Sequence, residues 1–403
     1  MTLTLQLPNA DGALARYALR NEAPARLPAQ KVAFNRIAYS AAHVVADPRA
    51  AIDPWLQCAV DWDQTLAYRR HLWSLGLGVA EAMDTAQRGM GLDWPTSLEL
   101  IRRSLDAARD VPGALLASGC GTDHLVLEDV RTIDQVIAGY EAQMAAIEKL
   151  GGKLIVMASR ALARVATCPA DYERVYDRIL SQARQPVILH WLGDMFDPAL
   201  KGYWGSGDVD AAMDTAIGII QAHPDKVDGI KISLLSKEKE IAMRRRLPAS
   251  GGSDGQGVRM YTGDDFNYAE LIAGDAYAGA AVQRQSDALL GIFDAIAPAA
   301  SAALAELAQG HVENFRAILD PTVPLSRHIF AAPTRYYKTG VVFMAWLNGH
   351  QSHFTMVGGQ QSTRSLQHLC ELFRLADAAG VLQQPDLALH RMKILCALQG
   401  IEN

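Results

Sequence analysis

Apolar and polar residues alternate through the first twenty positions on both sides of Asn9-Ala10-Asp11-Gly12, the pattern of a β-hairpin whose Asp-Gly pair supplies a positive-φ turn. Short apolar runs then recur at 32–45, 78–83, 114–118, 153–158, 186–192, 227–233, 258–262 and 277–283. Between them the apolar period changes to 3.6. Leu98, Ile101, Leu105 and Ala108 follow the capping-box pattern Thr96-Ser97-Leu98-Glu99, and Tyr172, Val175, Tyr176 and Ile179 follow Pro169, a residue preset for a first helical turn. Strands that alternate with helices pair in parallel through right-handed crossovers, because a hairpin cannot reach a parallel neighbour. Eight such units predict an α/β fold, a closed (β/α)8 TIM barrel. A doubly wound open sheet is the alternative. From about residue 285 onward the pattern is helical, including Ala-rich 297–308 and 366–379. The expected organisation is an N-terminal hairpin appendage over 1–30, a catalytic barrel over 31–290 and a C-terminal helical extension over 291–403 packed on the barrel. No internal repeat is evident.

Composition narrows the function classes. Half of the 403 residues are hydrophobic and 20% are charged, enough apolar material for one barrel-sized core. A net charge of −6 leaves no face-wide excess of Lys and Arg to displace counterions, which argues against a nucleic-acid partner. The basic run Arg244-Arg245-Arg246 follows Lys237-Glu238-Lys239-Glu240 and reads as a solvated helix face. No stretch of about eighteen apolar residues occurs, and the first residues lack a basic segment followed by an apolar one, so a soluble, cytoplasmic protein without a membrane partner is expected. Five scattered cysteines, none in a C-x-x-C arrangement, fit reduced structural thiols.

The residue that draws attention is Lys231, in the apolar run Val227-Asp228-Gly229-Ile230-Lys231-Ile232-Ser233. Burial disfavours an ammonium, so a lysine there needs a use. A neutral amine can condense with a ketone or aldehyde to give an imine, an electron sink for the neighbouring bond. Active sites of such barrels lie at the C-terminal strand ends. Those ends hold His43, Asp84, Thr85, Gly119 to Thr122, Ser159, Arg160, His190, Lys231, Asp264 and Asp265, a polar and ionisable set.

Gly229-Ile230-Lys231 after an apolar run, Tyr261-Thr262-Gly263-Asp264-Asp265 some thirty residues later and Ala273-Gly274-Asp275-Ala276-Tyr277-Ala278-Gly279 together resemble the dihydrodipicolinate synthase and N-acetylneuraminate lyase superfamily of class I aldolases. Lys153-Leu154-Ile155-Val156-Met157 and Pro186-Val187-Ile188-Leu189 match its fourth and fifth strands in order, and the resemblance spans roughly 30–380, closest to an uncharacterised dihydrodipicolinate-synthase-like branch. It implies that Lys231 forms the Schiff base, that no cofactor or metal is needed, and that the chain assembles as a homodimer or homotetramer. Two departures stand out. Where the superfamily ends its fifth strand with a proton-shuttling tyrosine, this chain has His190, which can do acid–base work near neutral pH. Its Gly-Thr-Thr-Gly-Glu loop, which binds a 2-oxo acid carboxylate, is here Met83-Asp84-Thr85-Ala86-Gln87-Arg88-Gly89, with Thr85 as the remaining hydroxyl. The expected activity is a lyase, an aldolase or dehydratase, acting on a small keto acid or sugar-derived carbonyl compound. Lys231 and His190 are its catalytic candidates, and Asp84, Thr85, Arg88, His43, Gly263 and Asp264 its substrate-binding candidates.

Each candidate has a plainer reading. Lys231 could pair with Asp264 or Asp84, His190 could be a satisfied core histidine, and Arg88 could be a surface residue. Aspartate at 264 or 265 could cap a helix starting near Asn267, a role that suits Asp265 and leaves Asp264 for the site. Gly119-Cys120-Gly121 and the glycine-rich 251–257 are too generic for phosphate loops, the latter suiting a turn before the seventh strand. The aromatic stretch 191–204 could lid the site or simply pack. His350 and His353, without a nearby carboxylate, are weak metal ligands. Rival functions are a metal-dependent barrel hydrolase or isomerase using His43, Asp84, His190 and His350, and a non-catalytic barrel that binds a metabolite.

Overall fold

In the computed structural model, which describes residues 3–20, 27, 32–278 and 285–402, the alternation of short apolar runs and amphipathic helices resolves into a closed parallel barrel. The N-terminal hairpin pairs β1 (Thr4–Pro8) with β2 (Leu14–Ala18), Pro8 opposite Leu14, and Gly12 turns the chain at φ +85°. The barrel strands are β3 (Ala38–Ala41), β4 (Gly78–Glu81), β5 (Leu116–Cys120), β6 (Lys153–Met157), β7 (Val187–Leu192), β8 (Val227–Ser233), β9 (Arg259–Thr262) and β10 (Asp287–Leu290), closed by β10 pairing with β3. Every neighbour in the ring is parallel, with helices in the crossovers, so the open-sheet alternative falls away.

Six strands fall within the predicted runs, and β5 overlaps its run 114–118 but continues two residues further, to Cys120. The eighth does not: Tyr277 and Ala278 belong to a 3-10 turn, Gly274–Ala278, while 279–283 lie outside the described residues. The barrel closes instead through Asp287-Ala288-Leu289-Leu290, inside the stretch expected to be helical. Four residues without a β-branched side chain carry no strand signature, and their pairing with β3 and β9 decides the matter. Helix Trp94–Arg109 also begins before the expected box. Asp93 is its cap, accepting from Thr96 N at 2.9 Å, with Pro95 in the first turn.

Side-chain size sets the barrel's interior layers. Tyr39 and Tyr261 fill its lower part because Gly78 and Gly229 leave room: a Cβ on either glycine would stand 2.6 Å from the tyrosine ring. Tyr261 is held by its hydroxyl, which donates to Asp228 Oδ2 at 2.6 Å. In β8 the period of two that turns Gly229 inward also turns Lys231 and Ser233 inward, one and two layers further up. Helix Ala297–Ala308 follows β10, and Ser301 Oγ donates to Leu75 O at 2.7 Å at the end of the first barrel helix, Trp62–Ser74. The C-terminal helices also receive the hairpin. Tyr17 OH and Arg20 N donate to Asp377 Oδ2 at 2.6 and 2.8 Å, and Leu5 and Leu7 are buried. Helix Tyr337–Leu347, whose residues are all buried, lies over the turn Asp84–Ala86 at the top of β4.

Candidate functional site

Lys231 is 7% exposed, in register with His190 on β7 and Tyr261 on β9. Its amine has neither a hydrogen bond nor a salt bridge among the described residues, so the pairing with Asp264 or Asp84 of the plainer reading does not form. Burial pushes the amine below the usual lysine range, opposed by the charges of Asp265 and then Asp84. Gly263 makes this placement possible. A Cβ there would stand 2.7 Å from Lys231 Cε, 2.5 Å from Ser233 Oγ and 2.6 Å from Ile232 O.

The two aspartates divide their roles in the opposite way to the sequence reading. Asp264 closes the turn ahead of helix Tyr268–Ala273, accepting from Phe266 N at 2.9 Å, Asn267 N at 3.0 Å and Asn267 Nδ2 at 2.9 Å, while Asn267 at the N-cap position makes no side-chain cap bond. Asp265 is buried and acts on the lysine. Burial pushes its carboxyl up to about 7 against the opposing pull of Lys231, and Oδ1 accepts from Ile292 N at 2.9 Å. The cause of the exchange is local: Asp264 sits two and three residues before the N–H groups it satisfies, the geometry of an Asx turn, which turns the next side chain inward.

His190 is 1% exposed. Its Nε2 lies 3.4 Å from Ser233 Oγ, and its Nδ1 has no partner among the described residues. Burial first, then the Lys231 charge, holds the ring well below the usual imidazole range, so the histidine is neutral at pH 7. Thr85 Oγ1 lies 2.8 Å from the buried hydroxyl of Tyr337, whose acidity is weakened by burial and by the Asp84 charge. Next to it Lys338, 4% exposed, donates to Arg335 O at 3.1 Å and stands 4.7 Å over the Tyr337 ring. Burial lowers its amine to about 8, with Asp84 opposing.

Other expected members lie elsewhere or are occupied. All five N–H groups of Arg88 are used: by Asp123 (2.9 and 2.6 Å), Gln143, Ala82 O and Gly119 O. Arg88 is thus a buried strut rather than the surface residue of the plainer reading. His43 is buried with Nδ1 2.8–2.9 Å from the Asp294 carboxylate, its ring against Tyr68. His350 packs on Tyr68 and His71, away from Asp84 and His190. The metal set His43, Asp84, His190 and His350 therefore does not converge, and among the described residues no group of three or more His, Cys, Asp or Glu is placed to hold an ion. In the aromatic stretch, Tyr203 and Trp204 pack on Tyr172 and Tyr176, whereas Phe196 meets Phe330 and Tyr337 edge-on.

Above these groups opens a cleft of about 160 Å³, walled by Asp84, Thr122, Ser159, Arg160, His190 and Asp197. Lys231 does not itself line this cleft, but His190, its neighbour in register on β7, and Asp84, whose charge acts on its amine, do. A larger cavity, about 880 Å³, lies among the C-terminal helices and shares no residue with the cleft.

Sequence reasoning missed the roles of Asp265, Tyr337 and Lys338. A signal for the last was available: Lys338 is the one charged residue in the otherwise apolar and small run Tyr337–Leu347.

A closed (β/α)8 barrel carrying an unpaired lysine inside its strand ring is the class that fold and site define. The chain belongs to the family described as Protein of unknown function (DUF993), whose model matches residues 5–401. No curated protein matches it. Among solved structures it is similar to a putative dihydrodipicolinate synthetase from Pseudomonas aeruginosa, at 15% identity over 84% of this chain and 98% of that one, with a TM-score of 0.58. It is also similar to dihydrodipicolinate synthase from Aquifex aeolicus (11%, 86% and 99%, TM-score 0.61). A third is YagE, a prophage protein of the dihydrodipicolinic acid synthase family from E. coli K12, in complex with pyruvate (13%, 92% and 100%, TM-score 0.59). These likenesses establish the barrel fold. No helix among the described residues is long and apolar enough to cross a membrane.

Proposed function

We propose that the protein is an imine-forming class I lyase that acts on a small carbonyl compound through Lys231. The observation that carries this reading is the buried, unpaired amine of Lys231 set against the Asp265 carboxyl. Burial favours the neutral amine, the nucleophile. Its addition to a carbonyl carbon gives a carbinolamine, and loss of water then gives the imine; a carboxyl poised near 7 can hand a proton to the departing hydroxyl and take one back in hydrolysis. The protonated imine then accepts the electron pair of the breaking bond. His190, neutral beside the lysine, is the candidate to move the proton at the neighbouring carbon. Asp84, Thr85 and Gly263 shape the space around the amine, Asp264 holds the loop that carries Asp265, and His43 buttresses the top of β3 through Asp294.

The fold shared with dihydrodipicolinate synthase structures, one of them with pyruvate bound, supports a keto acid or a related carbonyl compound as substrate. With Arg88 committed to Asp123 and Gln143, Lys338 is the cation available to an anionic end of that substrate. No cofactor enters this reading, and a homo-oligomer is its expected assembly.

The test is borohydride reduction of the protein with pyruvate, other keto acids and keto sugars, followed by intact mass and peptide mapping. An adduct on Lys231 that Lys231→Met abolishes supports the proposal. An adduct confined to Lys153 or Lys338, or none with any carbonyl, returns the barrel to the non-catalytic reading.

A further inference from the structure

The 880 Å³ cavity among the C-terminal helices has the size of a small-molecule site. One wall is aliphatic: Leu366 and Leu369 from helix Leu366–Ala378 face Leu387, Leu395 and Leu398 from helix Pro385–Leu398. Leu398 is 75% exposed at its rim, an apolar side chain left uncovered by the described residues. The other wall is cationic. Arg364 and Arg391 line it, both partly buried, and neither forms a salt bridge among the described residues. Their hydrogen bonds go to main-chain carbonyls: Arg364 Nη2 to Ala331 O at 2.6 Å, and Arg391 Nη1 to Gln351 O at 3.0 Å and to Trp346 O. Arg364 Nε is buried without a partner. No Asp or Glu is among the lining residues. Two partly buried guanidinium groups on a wall without a carboxylate leave an uncompensated positive potential next to an aliphatic surface.

We propose that this cavity is a binding site for an anionic amphipath, its carboxylate or phosphate head on Arg391 and Arg364 and its aliphatic chain along Leu369, Leu395 and Leu398. Neither the barrel nor the imine chemistry is needed for this site, so it stands or falls separately from the proposed activity. A head group facing both arginines gains charge-assisted hydrogen bonds, and the chain covers Leu398, which no other described element covers.

Calorimetric titration of the full chain tests it, with decanoate, decyl phosphate and 1-decanol, each below its aggregation threshold. Saturable binding of decanoate or decyl phosphate is expected, at least tenfold tighter than of decanol; which anion binds better identifies the head group. Arg391→Gln should weaken the anion at least tenfold, and Leu398→Glu, which sets a carboxylate at the rim, should abolish binding. Leu398 is exposed, so that variant keeps its fold even if Arg391→Gln, which loses helix-end contacts, does not. Decanol binding as tightly as decanoate, or an unchanged affinity in Leu398→Glu, overturns the proposal. So does a wild-type chain that binds none of the three and whose dimer dissociates on Leu398→Glu, because the groove would then be covered by a second copy.

Discussion

Gly263→Ala should separate the packing that places Lys231 from glycine's general effect on stability. The added Cβ would stand 2.6 Å from Ile232 O, 2.5 Å from Ser233 Oγ and 2.7 Å from Lys231 Cε. The serine hydroxyl can rotate away, but the carbonyl cannot, because it accepts from Gly263 N at 3.1 Å and is part of the strand ladder. The strain therefore falls on β8, β9 and the lysine stem, with a cost of about 1–3 kcal/mol, typical of overpacking a filled core. Gly218 is the matched control: it is exposed in helix Val209–Ala222, and a Cβ there would meet nothing within 4 Å. Gly218→Ala should raise stability by about 0.5–1 kcal/mol through the lost flexibility of the unfolded chain. Urea unfolding of both variants checks the opposite signs, and borohydride trapping with pyruvate reads whether the amine has moved. If Gly263→Ala matched the wild type in both assays, the contact between Gly263 and the Lys231 stem would be wrong.

Three further outcomes follow from the same geometry. Lys231→Met should lose imine trapping yet unfold at higher urea, by about 1–3 kcal/mol, since a buried donor without a partner is replaced by an apolar stem; a less stable variant would mean that the amine is paired after all. Asp265 keeps its proton to about 7 when folded but to about 3.9 when unfolded, so between those values the folded chain holds the extra proton. Stability should therefore fall as pH rises through that window, by roughly 4 kcal/mol at 1.36 per unit, and Asp265→Asn should flatten the slope measured by urea titration at pH 4, 6 and 8. Arg88→Ala should cost about 1–3 kcal/mol, by removing its hydrogen bonds to Asp123, Gln143 and Gly119 O, and should not simply raise KM; a normally stable variant with weakened substrate binding would reverse that assignment.

The barrel was legible because its physics is local and repeated. Runs such as Lys153–Met157 and Val227–Ser233, separated by helical periodicity, can be buried on both faces only in a parallel sheet, and seven of the eight strands announce themselves that way. The last strand, Asp287–Leu290, owes its conformation to two neighbours already in place, a non-local cause that composition does not carry. The hairpin was equally readable, since Asp11-Gly12 fixes its turn. Its seat on Asp377, however, joins residues 360 apart in sequence.

The candidate site shows a similar division between local and long-range causes. Lys231 stood out because a charged residue in an apolar strand violates a local rule, and such violations mark either function or a partner. Among the described residues its amine has no partner. Asp264 and Asp265 are adjacent residues of the same type, and only the turn geometry decides which one satisfies the N–H groups of its own turn and which one acts on the lysine. Tyr337 and Lys338 arrive from a helix more than a hundred residues beyond β8, so no spacing motif could place them at the barrel mouth. Their arrival also changes the meaning of residues already noticed. Thr85 has its hydroxyl engaged by Tyr337, and in the proposed reading the anion-binding role expected of Arg88 passes to Lys338, because Arg88 has no N–H left to offer. A residue type that fits a role is thus a candidate only until its hydrogen bonds are counted, and at this barrel mouth that count removes Arg88 and leaves the amines of Lys231 and Lys338 facing the shared charge of Asp84.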